Sequence, residues 1–172
     1  MRDDAGMSKQ EHVTGATPAV VAMKAAGVAF TEHHYDHDEH AASYGLEAAE
    51  ALGVPPEEVF KTLLAAVGRT GDLVVAVVPV QGSLDLKALA SATGNKSAVM
   101  ADPAVAERST GYVRGGISPL GQRRRLPTVI DETALTLPTI YVSGGRRGFD
   151  VGLAPVDLVE LTKAVTAPIA AP

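Results

Sequence analysis

Twelve consecutive residues of this chain, Gly111-Tyr-Val-Arg-Gly-Gly-Ile-Ser-Pro-Leu-Gly-Gln122, hold four glycines and a proline. Such a stretch can run neither as a regular helix nor as a central strand, because glycine brings no side chain to pack and proline no N–H. Backbone this bare is useful where it must approach something closely. Successive uncovered N–H groups form a small concavity suited to an anion, and Pro119 fixes the direction in which the chain leaves it. A lone Gly-Gly reads as an ordinary connection. Here the glycines are dense, and a second such stretch, Ser143-Gly-Gly-Arg-Arg-Gly148, follows downstream.

The flanking sequence alternates helix and strand signals. Thr17-Pro18 pairs an N-cap with proline at the first helical position, and Gly27 closes that helix. Val28 to Asp36 reads as a strand carrying Phe30 and Tyr35. Ser43 caps a helix ending at Gly53, and Pro55-Pro56-Glu57-Glu58 opens a short turn or helix. Val59–Val67 and Leu73–Val80 are the strongest strand signals, β-branched and apolar, and are expected to form a central hairpin. Ser83 is expected to cap a helix closed by Gly94, Lys96–Met100 to form a short strand, and Asp102-Pro103 to open a helix to about Arg108. Tyr112-Val113, Thr128–Ile130, Thr139–Ser143 and Phe149–Leu153 read as further strands. Pro155 starts a last helix with Leu158, Leu161 and Val165 as its buried stripe. Hairpins mixed with helices point to an α+β domain with a mixed sheet.

At 172 residues and 46% apolar content the chain can bury one sizeable core. Residues 1–15 read as a loose polar tail and 16–168 as one domain. Cysteine is absent, which excludes disulfides, thiolate metal sites and a cysteine nucleophile together. With no apolar run of membrane-spanning length and no signal-peptide pattern, a cytoplasmic protein is expected. The net charge of −5 is unevenly spread. Residues 1–60 carry eleven acids against three bases, whereas residues 108–147 carry seven arginines against Asp131 and Glu132. A basic zone on an acidic chain marks one surface for an anionic partner. Arg123-Arg124-Arg125 is its densest part, though three residues alone equally suit a solvated loop.

Lys61 opens Lys61-Thr-Leu-Leu-Ala-Ala-Val67, a run otherwise fit for a buried strand. Either its ammonium reaches water at the sheet rim, or it stands in a cavity where a compact cation would suit a phosphate or a developing oxyanion. The cluster His33-His34-Tyr35-Asp36-His37-Asp38-Glu39-His40 invites a metal. Alternation along a strand divides it between two faces, and the zinc helix motif is missing, so neither metal nor cofactor is expected. There is no G-x-S-x-G elbow and no Walker loop.

Phe60-Lys61-Thr62-Leu63, Gly111 to Gly121 and Ile140-Tyr-Val-Ser-Gly-Gly-Arg-Arg-Gly148 closely resemble the YbaK/EbsC family of aminoacyl-tRNA deacylases, relatives of the editing domain inserted in bacterial prolyl-tRNA synthetases. The resemblance runs from about Thr17 to Val165 with the motifs in order. It implies the family fold, a mixed, mostly antiparallel, barrel-like sheet surrounded by helices. Within the family it is nearest the branch that clears cysteine from proline tRNA, which implies Cys-tRNA(Pro) as substrate and prolyl-tRNA synthetase as a transient partner. The family's lysine matches Lys61 and its G-x-x-x-P loop matches Gly115, Gly116, Ile117, Ser118 and Pro119. Its pocket tyrosine matches Tyr35 and its lining aromatic matches Tyr44, where close relatives carry phenylalanine. Ser143 and Asp150 match the serine and aspartate near the second glycine stretch.

An aminoacyl ester is already activated, so its hydrolysis needs positioning and charge stabilisation more than a strong nucleophile. On that basis the N–H groups of Gly115 to Ser118 are expected to hold the ester carbonyl as it becomes an oxyanion. Lys61 would anchor the terminal phosphate or share that charge, and Arg123, Arg124, Arg125, Arg146 and Arg147 would meet the tRNA. For this branch the resemblance implies attack by the substrate's own thiol. Water attack on an alanyl or seryl ester is the alternative within the class, and a non-catalytic tRNA- or synthetase-binding module the alternative outside it.

Overall fold

The computed structural model describes residues 17–41 and 43–172; the polar tail expected at 1–15 lies outside the described residues. Helix starts fall where capping chemistry puts them. The Thr17 hydroxyl accepts from the Val20 N–H at 3.3 Å, starting α1 (Pro18–Ala26), and Gly27 ends it in the left-handed region. Strand β1 is Phe30–His34, shorter than the span from Val28 to Asp36. Ser43 caps α2 (Tyr44–Leu52), Gly53 closes it, and Pro56–Glu58 forms one 3₁₀ turn.

The expected central hairpin is β2 (Phe60–Val67) paired along its length with β3 (Asp72–Pro79). Ser83 does not cap the next helix: Ser83–Leu84 is a two-residue strand, β4, and the Asp85 carboxylate caps α3 (Leu86–Ala92) by accepting from Ala88 N–H. A carboxylate two residues on outcompetes the serine because the Leu84 backbone is held in a strand. Strand β5 (Ala98–Met100) and α4 (Pro103–Thr110, capped by Asp102) follow. Tyr112-Val113 is not a strand. Tyr112 is buried and donates its hydroxyl to the Leu120 carbonyl at 2.7 Å, a bond that folds the glycine-rich stretch back on itself.

The remaining strands are β6 (Thr128–Asp131), β7 (Ile140–Arg146) and β8 (Phe149–Leu153), followed by α5 (Pro155–Thr162), β9 (Val165–Ala167) and β10 (Ala170–Ala171). Leu158 is fully buried, but Val165 is exposed on the edge strand β9, since Lys163 turns the chain out of the helix at φ 53°. The folded unit runs beyond residue 168. Ile169 is in the core, β10 pairs with β4, and the Asp131 carboxylate accepts from the N–H groups of Ile169 and Ala170.

The result is α+β, with a five-stranded mixed sheet ordered β5-β2-β3-β6-β9 and a three-stranded antiparallel sheet ordered β1-β8-β7. An isolated parallel bridge between Val59 and Tyr141 joins them, and neither sheet closes into a barrel. The largest core cluster takes Phe60, Leu64, Val75 and Val77 from one face of the hairpin and Ile140, Val142, Phe149 and Val151 from the smaller sheet. The hairpin's other face, with Ala65, Val74, Ala76 and Val78, packs under α3 around Leu89. One gap matters for function. β5 pairs only with Ala65–Val67, so the upstream part of β2 keeps β3 on one edge and has no strand on the other.

Candidate active site

A cavity of about 590 Å³ opens beside that uncovered part of β2, within the usual range of small-molecule sites. Phe60, Lys61 and Thr62 come from β2, Tyr44 from the first turn of α2, Gly115 and Ile117 from the glycine-rich stretch, and Ser143 and Asp150 from β7 and β8. Tyr35 closes the side next to Asp150. Residues more than a hundred positions apart therefore line one space, because the smaller sheet is bridged to Val59, just before β2, while β5 pairs only from Ala65 onward.

Lys61 is half-buried in this wall and not at a fully hydrated rim. Its Nζ donates to the Gly82 carbonyl at 2.8 Å, which fixes the ammonium and leaves two further N–H donors. Burial pulls its pKa below the ordinary lysine value. Asp150, 6% exposed, is pushed up to about 7 by burial, and the Tyr35 hydroxyl facing it works the other way. Tyr35 is itself raised, first by burial and then by the charges of Asp150 and Glu47. Asp150 and Ser143 stand opposite each other in the β7–β8 register.

The glycine-rich stretch divides into a half that borders the cavity and a half that does not. The Gly116 N–H bonds the Val113 carbonyl at 2.8 Å, closing a four-residue turn with Gly115 at its third position, φ +83°. Gly116 is thus occupied by the turn and leaves the expected set of oxyanion donors. Its Cα is pressed on the second glycine stretch, where a Cβ would come within 2.6 Å of Arg146 Cα and 2.9 Å of Arg147 N. Gly115 lies against the Tyr44 ring, 2.8–2.9 Å from where a Cβ would be. Among the described residues no acceptor takes the N–H of Gly115 or Ile117. Ser118 is fully buried, its hydroxyl accepting from Leu120 N–H and its carbonyl from Gln122. Pro119 lines a separate shallow depression with Arg124 and Arg125.

The arginines separate in the same way. Arg123, Arg124 and Arg125 are exposed, their chain held by N–H bonds from Arg123 to the Thr110 carbonyl and from Arg124 to the Ser109 carbonyl. Arg146 is not on that surface: its guanidinium lies 4.7 Å from the Phe149 ring centre and its Nη2 is buried without a partner among the described residues. Arg147 donates from Nε to the Arg114 carbonyl at 2.7 Å and covers the Tyr44 ring at 5.3 Å. Three of the histidines also have structural places. His37 bonds Glu47 at 2.8 Å and stacks on Tyr44, His34 stacks on Phe149, and His33 meets Tyr141 edge-on.

Sequence reading missed Thr62, whose buried hydroxyl has no partner among the described residues and belongs to the cavity lining. A threonine between Phe60 and Leu64 on one strand face was its available signal. It also missed Glu107, which lines the cavity and accepts the Arg114 N–H at 2.8 Å. A side chain bonding a loop backbone seven residues on leaves no pattern in sequence.

The aminoacyl-tRNA editing domain model matches residues 38–161. An Enterococcus faecalis protein named as a Cys-tRNA(Pro)/Cys-tRNA(Cys) deacylase, EbsC, is 44% identical over 121 residues, 70% of this chain and 73% of the relative. A solved structure described as a trans-editing enzyme for prolyl tRNA synthetase superposes with a TM-score of 0.76 at 25% identity, covering 90% of this chain and 96% of the other. A protein described only as hypothetical reaches 0.79 at 27% identity, over 90% and 99% of the two chains.

Proposed function

The chain belongs to the aminoacyl-tRNA editing domain family, and we propose that it is a deacylase that clears cysteine mischarged onto proline tRNA. The observation that carries this reading is the meeting of Lys61, the Gly115 turn and the Tyr35–Asp150 pair around one cavity. The ester carbonyl lies against the free N–H groups of Gly115 and Ile117, which meet the oxyanion as it forms. Lys61, steadied by Gly82, adds positive charge to the same oxygen or to the terminal phosphate. The substrate thiolate attacks its own ester carbon; the bond to the ribose oxygen breaks, and that oxygen leaves with a proton. No enzymic nucleophile is required, in keeping with a chain that has no cysteine.

The acceptor stem meets Arg123–Arg125, and a transient complex with prolyl-tRNA synthetase supplies the choice of tRNA. A second mechanism is supported by Asp150, whose pKa near 7 suits a general base for water. The two part company on sulfur. With purified protein in excess over Cys-, Ala- and Ser-tRNA, cysteinyl ester should disappear fastest, and retention of all three labels would end the deacylase reading. Methylating the cysteine sulfur should stop release. If the S-methyl ester is cleaved at the cysteinyl rate, Asp150 and water do the work.

A further inference from the structure

We infer that Arg147 is a positioning residue that sets the direction of the Arg114–Gly115 peptide and so keeps the Gly115 N–H available to the substrate. This inference rests on the deacylase reading above for its consequence, though not for its geometry. The turn Val113–Gly116 is closed by the Gly116 N–H on the Val113 carbonyl, with Arg114 and Gly115 at its centre. A φ of +83° at Gly115 is what a type II turn demands of that position. Types I and II have the same ends and differ by a half-rotation of the central peptide, and glycine at the third position tolerates both. The turn alone therefore leaves the peptide between two directions.

Three contacts from outside the turn select one. The Arg114 carbonyl accepts from Arg147 Nε at 2.7 Å. The Arg114 N–H is held by Glu107 at 2.8 Å, so the residue before the peptide is pinned from its other side. The guanidinium of Arg147 lies over Tyr44, whose ring packs against Gly115. In a trans peptide the C=O and the next N–H point in opposite directions. With the Arg114 carbonyl taken by Arg147, the Gly115 N–H is turned away from Arg147, and no acceptor among the described residues claims it. A half-rotation would put a carbonyl oxygen where the donor now stands, replacing attraction for an oxyanion by repulsion. The second glycine-rich stretch thus acts on the first through the Arg147 side chain as well as through the backbone packed on Gly116.

The test uses two side chains of equal length. In Arg147→Gln the Nε2 donor sits as many bonds from Cα as Nε does in arginine; in Arg147→Met a methyl group takes that place. On a minimal aminoacyl-adenosine substrate, which lacks the acceptor stem, Arg147→Met should lower kcat by about 10-fold or more with KM little changed, the scale of a weakened oxyanion donor. Arg147→Gln should recover most of that loss without the positive charge. The Gly115 amide in a ¹⁵N–¹H spectrum gives a readout independent of turnover: one sharp signal in the wild type and the glutamine variant, a broadened or doubled one in the methionine variant. An unchanged Gly115 signal in Arg147→Met overturns the inference, as does equal kcat in the two variants. A wild type inactive on every ester would sink the proposed function while the amide signal still decides whether Arg147 sets the peptide.

Discussion

Gly115 in the first glycine-rich stretch and Gly145 in the second both hold left-handed backbone, at φ +83° and +114°, yet their neighbours differ. A Cβ on Gly115 would strike the Tyr44 ring, in the wall of the cavity. A Cβ on Gly145 would strike Tyr112 and Thr17, the buried tyrosine that folds the first stretch and the residue that caps α1. One glycine makes room for a ligand's surroundings and the other for a core contact. Equal composition therefore does not mean equal function; what each glycine lies against decides.

The largest expected effect lies on the cavity side and involves no glycine. Lys61→Ala should cost about 10²-fold or more in deacylation, the size expected when a cation is taken away from a developing negative charge. Because the Lys61 ammonium bonds only the Gly82 carbonyl among the described residues, the fold should survive, and a circular dichroism melt alongside the rate assay checks both halves. Near-normal rates in a folded variant would reduce Lys61 to a structural tie and leave the turn as the only source of oxyanion stabilisation.

Asp150 sharpens the comparison, since the second stretch reaches the cavity by placing Ser143 opposite it. The carboxyl titrates near 7 in the folded protein, raised by burial from an ordinary value of 3.8. Between those values the folded state holds a proton that the unfolded state has released. Stability should therefore fall as pH rises across that window, by up to about 1.4 kcal/mol per unit, and level off above pH 7. Urea unfolding at several pH values measures the slope, and Asp150→Asn should flatten it. An asparagine variant with the wild-type slope would assign the effect to another group.

The glycine pair comes next. Gly115→Ala should lower activity about 10-fold for a stability loss of about 1–2 kcal/mol, the cost of left-handed backbone to a side chain. The Tyr44 ring can yield but then intrudes on the cavity. Gly145→Ala should do the reverse, costing about 1–3 kcal/mol through strain and crowding of Tyr112 while the surviving folded protein works normally. At about 2–4 °C per kcal/mol for a chain of this size, a melting scan separates the two. Equal activity loss in both variants would erase the distinction drawn between the stretches.

Much of this was legible in sequence, for definable reasons. Caps such as Thr17-Pro18 with Gly27, and Ser43 with Gly53, are local chemistry and fell where expected. The hairpin β2–β3 announced itself by two mostly apolar runs, the second rich in valine. What failed was decided at a distance. Ser83 lost its capping role to Asp85 because the C-terminal strand β10 draws Ser83–Leu84 into a pair. Tyr112 has strand propensity, but its hydroxyl finds the Leu120 carbonyl instead. Lys61, Tyr35, Tyr44, Gly115, Ser143 and Asp150 were readable as candidates, and they do line one cavity. That Gly116 would be spent inside a turn, and Arg147 tied to a carbonyl, depends on how two loops face each other, which neither periodicity nor composition encodes.

The smallest effect separates the arginines of the Arg123–Arg125 patch from Arg147, which is bonded to a loop carbonyl. Arg123, Arg124 and Arg125 sit beyond the buried Ser118–Leu120 segment, away from the cavity lining. On a chain of net charge −5 they offer a local patch and not a broad basic face, so their grip on tRNA should be weak and salt-sensitive. Replacing all three by glutamate should raise KM for mischarged tRNA several-fold and reduce the salt slope by about one for each phosphate no longer neutralised. The rate on aminoacyl-adenosine should not move, because that substrate has no stem to hold. Arg147→Met is expected to behave in the opposite way, losing kcat on the small substrate as well. If the triple variant also fails on aminoacyl-adenosine, those arginines support the Ser118–Leu126 segment from outside, and the acceptor stem must find its positive charge elsewhere.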